Sequence, residues 1–266
     1  PRLARAGRGS ARGSRFWQRI DCGRFAPTAN RFARLLPACA VQKDLPGQHA
    51  QMLHRRITRT VELPYLLFLP QGYSAQASQR YPLLIFLHGS GEAGTDLEKV
   101  KIHGPPKLVA QRPDFPFIIA SPQIPDAETG FDPVQLDALL DELLERLPID
   151  PDRVYLTGLS LGGEATYAWA ALRPERFAAI APVSGNWTPE VACRLKNVPV
   201  WAFHGAHDDV VPLEGDRAMV NEINACGGHA RLTVYPDAGH DAWTATYASD
   251  ELYSWLLSQR RAASPR

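Results

Sequence analysis

Three short stretches of this chain hold side chains able to do covalent chemistry. Gly158-Leu159-Ser160-Leu161-Gly162 sets a hydroxyl between two glycines. His204-Gly205-Ala206-His207-Asp208-Asp209-Val210-Val211-Pro212 offers two adjacent carboxylates, and Asp237-Ala238-Gly239-His240-Asp241-Ala242-Trp243 an imidazole. A serine hydroxyl is a poor nucleophile until a base takes its proton, and that base works best when a carboxylate orients it. Serine, then acid, then histidine is the chain order of an acyl-transfer site built on a strand-to-helix turn. Ser160 is the expected nucleophile, Asp208 the acid and His240 the base. Asp209 competes closely with Asp208, because a one-residue error in where the preceding strand ends would exchange them.

A G-x-S-x-G motif alone arises by chance, so its context decides its weight. Val154-Tyr155-Leu156-Thr157 supplies a strand before it, and Leu161, Ala165, Trp169 and Leu172 an apolar helical face after it. The glycines permit a sharp turn, and the helix start aims the Leu161 N–H at developing negative charge. The plainer reading, a glycine-rich turn with an incidental serine, is weaker in this context. A second oxyanion donor is expected after the apolar run Leu83–Leu87, in Leu87-His88-Gly89-Ser90-Gly91-Glu92, with Ser90 first and Gly91 next. His88 and His204 each precede a glycine at a strand end, where packing and loop hydrogen bonds account for them. His103 precedes the nucleophile and so fails the chain order for the base, although it can line a pocket. His49, His54 and His229 read as surface residues.

The elements that must position these groups alternate. Strands are expected at Thr60–Leu69, Tyr81–Leu87, Phe117–Ala120, Arg153–Thr157, Phe177–Val183, Val198–Phe203 and Ala230–Tyr235, the last nearer an edge because it alternates in polarity. Most are continuous apolar runs, as in parallel strands covered on both faces. Helices are expected at Ser160–Leu172, at Leu213–Ala225 and at the C-terminus. Another carries Leu136, Leu139, Leu140, Leu143, Leu144 and Leu147 on one stripe, with Asp132 and Gln135 as a capping box, Pro133 first and Pro148 as the stop. This predicts an α/β protein with a mostly parallel central sheet and helices on both faces. A closed (β/α)₈ barrel would alternate in the same way, and the motifs argue against it.

With Ser121-Pro122-Gln123, Gly163 and Pro212 added to these motifs, residues 81–260 resemble the α/β-hydrolase superfamily. Within it they look like the small bacterial carboxylesterases and "predicted peptidases", near the phospholipase/carboxylesterase group and related to feruloyl and polyhydroxybutyrate esterases. The resemblance implies ester hydrolysis through an acyl-enzyme, with neither metal nor cofactor. The chain departs from these relatives after Gln123, where they carry a Trp-rich loop and this one has only Phe131.

Only fourteen residues, 184 to 197, separate the expected strands ending at Val183 and starting at Val198, too few for the lid or cap often inserted there. That disfavours a lidded lipase and favours an open pocket for short or soluble esters. Serine, rather than aspartate or cysteine, at the nucleophile disfavours haloalkane dehalogenase, epoxide hydrolase and dienelactone hydrolase chemistry. Trp187 and Trp243 are expected pocket walls, with core packing an equal reading, and Gln123 a weaker polar contact. A peptidase, thioesterase or lysophospholipase would use the same machinery, and a non-catalytic binding protein on this scaffold is the reading from another class.

The chain's formal charge of +1 hides an asymmetry. Residues 1–50 hold nine arginines and Lys43 against Asp21 and Asp44, a net +8, which leaves the rest at −7. This basic segment reads as non-catalytic and disordered, while residues 51–266 form the single catalytic domain. Transit-peptide composition and upstream sequence are the other readings of it. Its best apolar stretch, Leu35–Val41, is broken by Pro37, so no secretory signal is expected and a cytoplasmic location is favoured. A small-molecule ester is the expected partner. Nucleic acid is not, since charge alone would carry that reading, and no run is long enough to span a bilayer. Cys22, Cys39, Cys193 and Cys226 fit no metal or disulfide spacing and are expected as free buried thiols.

Overall fold

The structure, a computed structural model, describes residues 58–76 and 78–261. The basic segment, with Cys22 and Cys39, lies outside the described residues. Strand β2 (Tyr81–Leu87) shows why the sheet is central: from Pro82 onward every residue is buried. It joins β1 (Tyr65–Phe68), β3 (Ile118–Pro122), β4 (Ile149–Leu159), β5 (Ala179–Val183), β6 (Val200–Gly205) and β7 (Ala230–Tyr235) in the order β1-β3-β2-β4-β5-β6-β7. β1 runs antiparallel to β3 and every other neighbour is parallel. The sheet is open, with β1 and β7 as edges, so it is not a barrel.

Helices α2 (Pro133–Arg146), α3 (Leu161–Leu172) and α4 (Leu213–Ala225) pack on one face through Leu136, Leu140, Leu143, Trp169, Met219 and Ile223. Helices α1 (Gly104–Val109), α5 (Trp243–Ala248) and α6 (Asp250–Ser258) cover the other, through residues such as Leu108, Tyr247 and Leu256. No helix among the described residues is long and apolar enough to cross a membrane. Because β2 and β4 to β7 are parallel, the loops after them emerge at one edge, where ligands bind in open sheets of this kind.

Several expectations change in detail. β1 keeps only four of ten expected strand residues, because Pro64 and Pro70 bracket it and proline has no N–H to donate. Asp132 caps α2 through the Val134 N–H at 2.8 Å, but Gln135 does not close a box: its amide reaches the Glu62 carbonyl at 3.5 Å. The expected C-terminal helix is two, broken at Ser249, whose hydroxyl accepts from Glu251 N–H and restarts the chain as α6. Between β5 and β6 lies only a 3₁₀ turn, Pro189–Leu195, and no cap.

Cys193 and Cys226 are neither free nor deeply buried. They form a disulfide, with Cα atoms 5.4 Å apart, that ties this 3₁₀ turn to the end of α4. The turn folds back on α4, so residues 33 apart in sequence become neighbours. Spacing cannot reveal such a contact.

Candidate active site

The turn at Ser160 is made by backbone crowding. β4 ends at Leu159 and α3 starts at Leu161, leaving Ser160 at φ 51°, ψ −120°, a conformation costly for a residue with a side chain. Ser160 N–H donates to the Val183 carbonyl at 2.9 Å, and its own carbonyl accepts from Glu164 N–H at 3.0 Å. A Cβ at Gly158 would lie 2.2 Å from the Gly162 carbonyl oxygen, and one at Gly162 only 2.0 Å from that of Leu87. Glycine is therefore required on both sides of the serine.

His240 stands beside that hydroxyl. Its Nε2 is 2.9 Å from Ser160 Oγ, and its Nδ1–H donates to Asp208 Oδ2 at 2.8 Å. Asp208 Oδ1 accepts from the Val210 and Val211 amides at 3.0 and 2.9 Å. Burial by itself would raise the Asp208 pKa, but donation from His240 and these amides holds it below the usual carboxylate value. Asp209 is exposed, and Asp208 is the acid that meets the imidazole.

The loop after β2 is braced from beneath. Gly89 N–H donates to the buried Glu92 carboxylate at 2.9 Å, leaving the next amides, Ser90 and Gly91, on an exposed 3₁₀ turn. His88 is fully buried: its Nδ1 donates to the Gly89 carbonyl at 2.6 Å and its Nε2 accepts from Ile124 N–H at 3.2 Å. Burial lowers its pKa, in keeping with a neutral strut. Phe131 packs edge-on against it, 5.2 Å between centroids. Gln123 is also buried, beneath the loop, with its amide donating to the Glu92 and Asp96 carbonyls at 2.8 and 2.7 Å.

Leu161 opens α3, where a first-turn amide has no acceptor within the helix. The Trp243 ring stands edge-on to His240 at 5.0 Å, with His103 5.7 Å beyond. Trp243, His103, Lys107 and Tyr247 line a cleft of about 210 Å³. Trp187 is 40% exposed, outside the core. Among the described residues, the group close enough to share a metal ion is Cys193, Glu222 and Cys226, whose sulfurs are already joined to each other.

Sequence reasoning missed Ser184. It sits just after β5 at φ 48°, fully buried, and its hydroxyl donates to the His240 carbonyl at 2.8 Å. Its partner is a main-chain atom, which leaves no mark in a residue pattern. The bracing by Glu92 was likewise unread, although Glu92 lies within the motif that drew attention to Ser90.

The sequence matches the model of the Dienelactone hydrolase family over residues 33–254. It is 29% identical over 171 residues to the protein named "Probable feruloyl esterase C" of Aspergillus terreus, covering 61% of this chain and 62% of that one. It is 25% identical over 195 residues to a probable carboxylesterase of Oryza sativa subsp. japonica, covering 62% and 83% respectively. Among solved structures, the crystal structure of a thermostable esterase superposes with a TM-score of 0.65 at 31% identity, over 76% of this chain and 60% of that one. The chain thus spans less than two thirds of the feruloyl esterase and of the thermostable esterase.

Proposed function

Since this chain belongs to the dienelactone hydrolase family, we propose that it is a serine hydrolase that cleaves short-chain or soluble carboxylic esters through an acyl-enzyme. The observation that carries this reading is the hydrogen-bonded chain from Ser160 Oγ through His240 to Asp208, at 2.9 and 2.8 Å. Ser160 Oγ attacks the ester carbonyl as His240 Nε2 takes its proton. The Leu161 and Ser90 amides, with Gly91 as the alternative to Ser90, hold the resulting oxyanion. His240 then gives that proton to the departing alkoxide, which leaves as the alcohol. Water, activated by the same nitrogen, releases the acid and restores the serine.

Family membership does not bring the family's name-giving reaction with it, because the attacking atom here is a serine oxygen. The uncapped connection from β5 to β6 supports an open site for short or soluble esters. The relatives named a probable feruloyl esterase and a probable carboxylesterase support ester cleavage, beside others named putative carboxymethylenebutenolidase. Trp243 and Trp187 are proposed to flank the acyl or alcohol group. A panel of nitrophenyl esters graded by acyl length, with a dienelactone, a thioester and a peptide alongside, tests the assignment. Fluorophosphonate should label wild type and not Ser160→Ala. Wild-type labelling and turnover in Ser160→Ala would refute it, as would a well-folded wild type that takes no label.

A further inference from the structure

Two histidines stand at Asp208, and the chemistry above uses one. The other, His204, is the penultimate residue of β6 and has no solvent exposure. Its Nε2 lies 2.9 Å from the Val211 carbonyl oxygen and 3.1 Å from Asp208 Oδ2. Its Nδ1 lies 2.7 Å from Asp216 Oδ2, while Asp216 Oδ1 accepts from the Tyr167 hydroxyl at 2.6 Å. The side chains of Asp208 and Asp216 are as fully buried as that of His204. The titratable groups facing His204 are thus Asp216 from α4, with Tyr167 of α3 behind it, and Asp208 from the β6–α4 loop, with His240 beyond.

The Val211 carbonyl can only accept, and so can an ionised Asp208. A bare Nε2 would point its lone pair at two oxygens, so Nε2 carries a hydrogen. Nδ1 faces a carboxylate oxygen, and that short contact also needs a proton, on the ring or on Asp216. His204 and Asp216 together therefore bind two protons, one more than a neutral imidazole beside an ionised carboxylate. Burial alone would lower the His204 pKa, but its bonds to Asp216 and Val211 outweigh burial and hold it above the ordinary histidine value.

We propose that His204 is a positioning residue for the Ser160–His240–Asp208 chain, its Nε2–H donating to the Val211 carbonyl and its ring standing 3.1 Å from the Asp208 oxygen that His240 also binds, while Asp216 and Tyr167 fix the ring. This rests on the hydrolase reading above. Asp208 then has the His240 N–H on Oδ2, two amides on Oδ1 and the His204 ring 3.1 Å from Oδ2. Val211, which donates to Oδ1, is itself held by His204 through its carbonyl, so the carboxylate is pinned and its charge partly balanced. Without the His204 ring beside it, the less balanced anion favours the protonated form of the base. Activity should then emerge only at higher pH.

The test has two arms on the full chain. In ¹⁵N-histidine NMR of wild type and Ser160→Ala between about pH 6 and 8, His204 Nε2 should stay in the protonated range. Nδ1 should show a strongly downfield, slowly exchanging proton. A lone-pair signature at Nε2 would overturn the proposal, and this arm needs no change at His204. In kinetics, His204→Gln and Asp216→Asn should lower kcat about ten- to a hundred-fold with KM nearly unchanged. The acidic limb of the kcat/KM profile should move up by about one pH unit. Tyr167→Phe, which keeps the buried volume, should shift the limb in the same direction by less. It stands in where the larger changes fail to fold. Unmoved profiles in folded variants, with Ser160→Ala inactive, would overturn this role alone. An active Ser160→Ala would instead sink the hydrolase reading, and this role with it.

Discussion

The hydroxyl of Ser184 holds the main-chain carbonyl of His240 at 2.8 Å, so the residue following β5 anchors the loop that follows β7. Ser184 is the residue after the strand whose last carbonyl, that of Val183, takes the Ser160 N–H. One strand end therefore steadies both Ser160 and His240, the proposed nucleophile and base. Replacing Ser184 with alanine removes a net contribution of about 1 kcal/mol, or roughly fivefold in rate. We expect kcat to fall by that factor while KM holds. An equal loss in KM would place Ser184 on the substrate instead.

Ser160 at φ 51° is strained for any residue but glycine. Ser160→Gly should abolish ester turnover and raise stability by about 1 kcal/mol. For a domain of this size that is a rise of about 2–4 °C in Tm. Ser160→Ala, which keeps a Cβ, should abolish turnover without that gain. Calorimetry of the two variants separates strain from chemistry.

Asp208 links stability to acidity with a defined sign. Its folded pKa is depressed, chiefly because the His240, Val210 and Val211 donors overcome the effect of burial. The stabilisation is therefore present above the unfolded pKa and lost as pH falls through the folded one. Urea midpoints of wild type should drop more steeply than those of Asp208→Asn between about pH 4 and pH 2. Parallel slopes would show that Asp208 is not held in this way.

The Cys193–Cys226 bridge closes a loop of 33 residues, and its reduction should cost about 2–4 kcal/mol. Dithiothreitol should lower the Tm of wild type and leave that of Cys226→Ser unchanged. Turnover at 25 °C should survive reduction, since neither sulfur bonds any residue of the Ser160–His240–Asp208 chain.

How much of this was legible beforehand depends on where the information lies. That Ser160, Asp208 and His240 come together was readable because each sits in a short motif just after a strand, and strand ends in a parallel sheet share an edge. The layered α/β architecture was readable from runs such as Leu83–Leu87 and the leucine stripe of α2. Ser184, His204 with Asp216, and the disulfide were not, because each is a contact between distant segments with no local period. The break at Ser249 was hidden for a different reason. The apolar pattern continues across it, and only the cap decides where one helix ends and the next begins.

The contact of Gly162 with the Leu87 carbonyl also sets how finely the site is registered. β2 leads directly into the loop of Ser90, and α3 directly out of Ser160, and here the two backbones meet with no side chain between them. Hydrogen bonds and side chains give by tenths of an ångström, but touching main chains hardly give at all. The spacing between the serine and the loop that faces it is thus set by hard contact. Slack elsewhere in the molecule, from an edge strand to a cut disulfide, need not add to it.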